Sequence, residues 1–251
     1  MSGHSHWATI RRKKEGNDAK RGSLFTKLAR EIVIAAREGG GDPDSNIGLR
    51  VAIDKARSMG MPKDNIDRAV RRGAGTDKDG ETFDEIMYEG YGPNGVAVLI
   101  DVLTDNRNRT VAALRHALSR QGGTLAEAGA VAWQFERKGT IAVPAAVGFD
   151  RLFEAAVEAG AEDVIEGDEE LEVRTAPADL KIVHDALRGQ GIEISSMDLV
   201  MTPKNSMSLE PRDAAQVLKL VDFLEEMDDV RRVFTNLDVT EEAVAAFEAM
   251  A

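Results

Sequence analysis

The stretch that decides the fold runs from residue 139 to residue 201: GTIAVPAAVGFDRLFEAAVEAGAEDVIEGDEELEVRTAPADLKIVHDALRGQGIEISSMDLVM. Thr140–Val143 is a short β-branched run, and Phe149–Ala159 repeats its apolar residues at helical spacing. Asp163–Glu166 and Leu171–Thr175 form two strands over the turn residues Gly167-Asp168. Ala178–Arg188 returns to the helical period, and Ile192–Met201 closes the segment as a strand. The order β-α-β-β-α-β is that of a ferredoxin-like unit.

Outward from this unit, both flanks read as halves of one sheet. On the N-terminal side, Phe83–Tyr91 and Val96–Leu103 are strands joined at Gly92-Pro93-Asn94-Gly95. A helix from about Arg109 to Arg120 ends at Gly122-Gly123, and Ala130–Phe135 reads as a further strand. On the C-terminal side, a helix over Pro211–Met227 precedes a strand over Val230–Leu237. Alone, these two would leave an apolar face uncovered. The expected fold is therefore α+β, with 137–205 inserted into a middle domain made of 80–136 and 206–251.

Residues 1–79 form the third expected domain. Ser23–Glu38 places Leu24, Phe25, Leu28, Ala29, Ile32 and Ala36 on one helical face and Lys27, Arg30 and Arg37 on the other. Gly39-Gly40-Gly41-Asp42-Pro43 stops that helix. A second helix after Asn46 aligns Leu49, Ala52, Ile53 and Ala56 and ends at Gly60. A third begins near Pro62, buries Ile66, Ala69 and Val70, and ends at Gly73, before a linker.

The 251 residues carry a net charge of −12, but the charge is unevenly placed. Residues 1–75 hold 16 Lys/Arg against 9 Asp/Glu, a net of +7, whereas each later segment is acidic. Such a chain presents one end to polyanions and repels them elsewhere. The densest basic stretch contains His4, Trp7, Arg11, Arg12, Lys13, Lys14, Lys20 and Arg21, and Lys27 and Arg30 continue it along the first helix. Lys and Arg neutralise phosphates and release counterions, and Arg grips phosphate with two parallel bonds. Trp7 has two readings, packing on the helices, which is favoured, or stacking on an unpaired base. Arg107 and Arg109, in Asp105-Asn106-Arg107-Asn108-Arg109-Thr110, stand at a helix start, where free N–H groups hold phosphate. Capping by Asn108 is the plainer reading of that motif.

Other chemistries find no residues. There is no cysteine, hence no disulfide or thiolate site, in keeping with a reducing cytoplasm. His4 and His6 have no third ligand beside them, and His116 and His184 fall in separate helices, so neither a metal nor a cofactor is expected. No phosphate loop or nucleophile elbow occurs. The acidic run Glu162–Glu172, and Glu225, Glu226, Asp228 and Asp229, read as solvated faces. No apolar run approaches the roughly 20 residues of a membrane span.

Several stretches together resemble the YebC/PmpR family. They are Gly3-His4-Ser5-x-Trp7-Ala8-x-Ile10, Asp18-Ala19-Lys20-Arg21-Gly22, Phe25-Thr26-Lys27-Leu28, Gly39-Gly40-Gly41-Asp42-Pro43, Tyr88-Glu89-Gly90-Tyr91-Gly92-Pro93 and the 105–110 motif, with Ala159–Asp163 and Asp228-Asp229-Val230 further on. At position 6 a His stands where the family commonly has Lys. The resemblance implies a three-domain protein with a helical first domain, acting either as a transcriptional regulator on promoter DNA or as a translational activator with the ribosome, including at proline-rich stalls. It implies no enzymatic activity. The expected function is a non-catalytic, monomeric, cytoplasmic nucleic-acid-binding regulator. DNA and ribosomal or transfer RNA are the rival partners, and the ribosome is a further one. Residue chemistry leans to RNA, because the acidic remainder is repelled along a long duplex. An enzyme working in an inter-domain cleft is the reading from another class, and it requires convergent carboxylates of shifted pKa.

Overall fold

The computed structural model describes residues 18–75, 83–167 and 169–250. The helical segment contains α1 (Asp18–Gly39), α2 (Ile47–Ser58) and α3 (Lys63–Gly73). The first of these starts five residues before the expected Ser23, so Lys20, Arg21 and Gly22 are helical. Asn46 opens α2 by accepting the Leu49 N–H at 3.0 Å, and its amide donates to the Ala35 and Gly40 carbonyls, tying the start of α2 to the end of α1. The bundle core is the apolar stripe of each helix: Leu28, Ile32, Val33 and Ala36 against Leu49, Ala52, Ile53 and Ala56, closed by Ile66 and Ala69. Gly73 is where α3 meets α1. A Cβ at this position would lie 2.2 Å from the Val33 carbonyl oxygen and 2.7 Å from the Ala36 Cβ, so only glycine permits the approach.

Next come β1 (Asp84–Tyr91), β2 (Ala97–Thr104), α4 (Arg107–Arg120) and the two-residue β3 (Thr124–Leu125). The insert follows, with β4 (Phe135–Pro144), α5 (Phe149–Glu158), β5 (Asp163–Ile165), β6 (Glu170–Thr175), α6 (Leu180–Gly189) and β7 (Ser196–Pro203). The chain ends with α7 (Pro211–Glu225), β8 (Val230–Thr235) and α8 (Glu241–Glu248).

Two sheets organise these elements. One has the order β3-β1-β2-β8, with β2 antiparallel to both neighbours. The pairs Leu99↔Phe234 and Ile100↔Val233 place the strand after residue 229 beside the one before residue 105. β2 is buried along its length except at Asp101, as a central strand covered on both faces must be. The other sheet has the order β5-β6-β4-β7, the ferredoxin-like order, with β6 antiparallel to β4 and β5. Its core is Ile141, Val143, Leu171 and Val173 from the sheet against Leu152, Ala156, Val183 and Leu187 from the two helices.

Residues 136–202 are a compact unit by themselves, and the described residues of 18–135 and 203–250 are another. At the base of the insert the chain leaves and returns at one place, where the Lys204 N–H donates to the Gln134 carbonyl at 2.8 Å. Among the described residues, no helix is long and apolar enough to cross a membrane.

Other sequence expectations about these elements need correction. Residues 130–134 are not strand: the Glu89 carboxylate accepts the N–H groups of Gly129, Val131 and Ala132 at 2.6–2.7 Å, and the chain turns through a short 3-10 segment, Ala132–Gln134. The last strand of the insert starts at Ser196, not Ile192, whose side chain instead closes the helical layer of the core. Glu172 is not on a solvated face; it is largely buried beside Arg174, whose Nε donates at 2.8 Å, and burial pushes its carboxyl above the usual range. Finally, α8 has no counterpart among the expected elements, although Thr240-Glu241-Glu242 is a helix-start signal and Thr240 Oγ1 accepts the Ala243 N–H at 3.2 Å.

Because both ends of the insert meet at Gln134 and Lys204, replacing residues 137–202 by a short Gly/Ser linker is expected to leave a chain that unfolds in one cooperative urea transition. The slope of that transition should shrink with the surface removed. Loss of cooperativity in the shortened chain would show that the outer elements need the insert to fold.

Candidate nucleic-acid interface

Of the residues expected to touch nucleic acid, His4, Trp7, Arg11, Arg12, Lys13 and Lys14 lie outside the described residues. Lys20 and Arg21 fall in the first turn of α1. Of the remaining four, Lys27, Arg30 and Arg109 converge on one corner of the fold, the turn between α7 and β8, whereas Arg107 pairs with Asp84 at the start of β1.

The convergence follows from the helical repeat of α1. Lys27, Arg30, Glu31 and Ile34 share a stripe distinct from the core stripe of Leu28, Ile32 and Ala36, at about 100° per residue. Lys27 Nζ donates to the Glu225 carbonyl at 2.6 Å, and an Arg30 nitrogen donates to the Asp228 carbonyl at 3.0 Å. The Glu225 carbonyl ends α7, where the helix leaves acceptors unsatisfied and carries partial negative charge, so a cation belongs there, and the Asp228 carbonyl lies in the turn that follows. Arg30 also lies 3.5 Å from the Asp229 carboxylate and 5.3 Å from the centre of the Phe83 ring. Ile34 is buried although it stands outside the bundle core.

Asp229 is the centre of the corner. Its side chain is only 12% exposed. It accepts from Thr110 Oγ1 at 2.7 Å and from Arg109 Nη2 at 3.1 Å, with Thr104 Oγ1 at 3.4 Å. Thr110 in turn donates or accepts at 2.8 Å with Thr104, whose Oγ1 also accepts the Asn106 N–H. The expectation that Glu225 and Asp229 face water is therefore corrected. The Asp229 carboxylate is largely enclosed by its donors, and Glu225 is buried and accepts the Val233 N–H through Oε1 at 3.2 Å.

The start of α4 also differs from the expected one. The cap is Asn106, not Asn108: its side chain accepts the Arg109 N–H at 3.1 Å, and the helix begins two residues early. Arg109 reaches back to Asp105 at 2.7 Å as well as to Asp229, and Arg107 pairs with Asp84 at 2.7 Å. The hydrogen bond from Arg109 holds the Asp105 carboxyl below its ordinary range, and that from Arg107 does the same for Asp84. Carboxylates of the chain itself thus engage the arginines of this helix start, while Asn106 answers its Arg109 N–H. Beside them, Arg231 pairs with Glu85 and, at 2.8 Å, with Asp101, and Glu31 of α1 adds to the negative charge around it. Burial pushes the Asp101 carboxyl up, and Arg231 opposes it.

Sequence reasoning passed over three cations. Arg68, Arg71 and Arg72 of α3 are all exposed. The helical repeat carries their signal, since they lie opposite Ile66, Ala69 and Gly73.

A helical bundle with a basic sequence, joined to an antiparallel α/β body that carries a ferredoxin-like insert, defines a three-part α+β architecture. The chain belongs to the TACO1/YebC family. Residues 5–76 match the model of the TACO1/YebC protein N-terminal domain, and residues 83–237 match that of the TACO1/YebC second and third domain. Relatives named "probable transcriptional regulatory protein" include one from Trichlorobacter lovleyi, 51% identical over 96% of this chain and 97% of that protein. Another, from Chlorobium luteolum, is 52% identical over 99% of this chain and 100% of its own length. A crystal structure of a conserved hypothetical protein from Aquifex aeolicus superposes with a TM-score of 0.82 at 44% identity, over 89% of this chain and 93% of that one.

Removing the Asp229 carboxylate leaves Thr110 and two arginines without their shared acceptor. Asp229→Ala is expected to cost roughly 1–3 kcal/mol in urea unfolding. Arg109→Ala, which deletes a half-exposed partner, should cost less than about 1 kcal/mol. Equal losses would show that the enclosed carboxylate is not the organising group.

Glu89 generates a pH dependence. Burial pushes its carboxyl up, but the three backbone N–H bonds from Gly129, Val131 and Ala132 outweigh it and hold the group below its usual range. Its stabilising contribution is therefore present above the unfolded value of about 4.3 and is lost as pH falls through the lower folded value. Glu89→Gln should be less stable at neutral pH and should lose less stability on acidification than the parent chain. Parallel stability–pH curves for the two would refute the assignment.

Proposed function

We propose that this chain is a non-catalytic nucleic-acid-binding regulator of gene expression whose helical segment makes the polyanion contacts. The observation that carries the reading is charge segregation. The first 75 residues hold a net of +7 in a chain whose total is −12. Attraction is thereby confined to one end, which orients the molecule on a phosphate surface. The relatives' name, probable transcriptional regulatory protein, favours duplex DNA as the target. Ribosome-associated RNA binding is the second reading, favoured by the acidity of the remaining body, which is repelled less by a compact RNA surface than along an extended duplex.

Arg107 and Arg109 suit secondary contacts. Their side chains are 63% and 52% exposed, and each is paired at the surface. Exposed pairs contribute only about 0–1 kcal/mol, so exchanging Asp84 beside Arg107, or Asp105 beside Arg109, for a phosphate costs little as long as Arg109 keeps its bond to the enclosed Asp229.

The test is a salt titration of binding to duplex DNA, single-stranded RNA and ribosomes, for the parent chain and for Lys13, Lys14, Lys20 and Arg21 all replaced by Ala. Each phosphate that the variant no longer neutralises should lower the slope of log affinity against log salt by about 0.9 on a duplex or about 0.7 on a single strand. The ligand with the steepest parental slope identifies the class of target, and crosslinking in cells identifies the molecule. Unchanged affinity and slope on all three ligands would remove the basic N-terminal segment from the mechanism.

A further inference from the structure

We infer that the surface of the helical segment that meets the nucleic-acid backbone is the outward C-terminal half of α3, formed by Arg68, Arg71 and Arg72, and not the Lys27–Arg30 stripe of α1. The inference rests on the nucleic-acid reading above and names the side chains that serve it.

The first ground is placement. Ile66, Ala69 and Gly73 are buried, which fixes the inward side of α3. At about 100° per residue, Arg68, Arg71 and Arg72 then share the opposite side within an arc of about 100°. All three are exposed. The acidic residues of the same helix, Asp64 and Asp67, stand one turn before Arg68 and Arg71 on the same outward side, and the last turn, with Arg71 and Arg72, is basic.

The second ground is rigidity. The Gly73 contact with Val33 and Ala36 seats the end of α3 directly on α1, which holds the three arginines on a fixed element rather than on a loop. It also brings Arg37, exposed in the last turn of α1, to the same end of the bundle.

The third ground is the engagement of the alternative. Lys27 and Arg30 hold the Glu225 and Asp228 carbonyls and the Asp229 carboxylate, so using them on an external phosphate requires dismantling that corner.

Phosphodiester is the ligand that this geometry fits. Residues i and i+4 of a helix are about 6 Å apart along its axis, and a nucleic-acid strand offers one phosphate per ~3.4 Å of duplex axis. The row from Arg68 to Arg72 therefore spans about two phosphate spacings of one strand, and each Arg can grip a phosphate with paired N–H bonds. No large apolar side chain is exposed on this half of α3, so the wedge that a membrane-lying helix inserts between lipids is lacking.

The experiment uses the full chain with Arg68, Arg71 and Arg72 replaced together by Ala, and a second variant with all three replaced by Lys. Binding to fluorescein-labelled duplex DNA and single-stranded RNA is followed by anisotropy across a salt series. The Ala variant should lose about 2.7 from the duplex slope, or about 2.1 from the single-strand slope, while circular dichroism and thermal midpoint stay close to the parent. From about 50 to about 200 mM salt, the parent should lose roughly fortyfold more duplex affinity than this variant. The Lys variant should keep the slope, since charge is retained. Lys27→Ala with Arg30→Ala should lower the unfolding midpoint and leave the slope nearly intact. If the parent binds and the Ala variant keeps its slope on both probes, the α3 surface is not the contact, and the nucleic-acid reading survives without it. If the parent binds neither probe nor ribosomes, that reading falls and takes this one with it. Loss of binding only to anionic vesicles or to an acidic polypeptide in the Ala variant would likewise overturn the assignment to nucleic acid.

Discussion

The rest of the structure depends on a carboxylate largely withdrawn from water, that of Asp229. Such a group must be met by donors, because its desolvation is costly when left uncompensated. Thr110 Oγ1 and Arg109 meet it from the start of α4, Thr104 from the end of β2, and Arg30 from α1. The end of α7 offers its Glu225 carbonyl to Lys27, and the turn after it offers the Asp228 carbonyl to Arg30. One corner thereby sets where the helical bundle rests, where α4 starts and where β8 enters the sheet.

The contacts that Lys27 and Arg30 make with this corner are hydrogen bonds and an ion pair, whereas the bundle interior is apolar. On one side α1 presents Leu28, Ile32 and Ala36, which lose water permanently to the other two helices. On the other it presents Lys27, Arg30 and Glu31 beside the buried Ile34; Lys55 of α2 pairs with Glu31 at 2.9 Å, and Arg231 of the sheet lies within its field. Interfaces of this polar kind between parts of a chain are held more weakly than an apolar core. A regulator built this way keeps each part folded on its own hydrophobic stripe and orients the parts by charge. Those charges cannot serve an outside partner at the same time, so the basic surface left for recognition is smaller than the number of Lys and Arg suggests.

Most elements were legible in the sequence because burial imposes a period. Leu171, Val173 and Thr175 alternate with half-exposed residues along β6, as a half-covered strand requires. Leu49, Ala52, Ile53 and Ala56 mark α2 in the same direct way. What escaped has a common physical origin, side chains whose partners are remote in sequence. Lys27 looks like a solvated lysine until Glu225, 198 positions away, is brought to it. Asp229 sits in a run of acids that reads as surface and is enclosed by donors from β2, α4 and α1. Residues 130–134 have the apolar composition of a strand, but Glu89, about 40 positions earlier, withdraws three N–H groups of residues 129–132 from any ladder. Periodicity reports which side chains lose water, and it is silent about which polar atoms answer one another.

The order of the first sheet has a consequence for synthesis. Its central strand, β2, is complete by Thr104, but its partner β8 begins only at Val230. During vectorial translation the bundle and the ferredoxin-like unit can each finish on local contacts, while β2 waits with one edge unpaired for about half of the chain to emerge. The nascent α1 likewise carries Lys27 and Arg30 without their carbonyl and carboxylate partners until residues 225–229 leave the exit tunnel. The growing polypeptide is therefore more basic in its accessible surface than the finished one, and closure of the Asp229 corner is the event that ends that period.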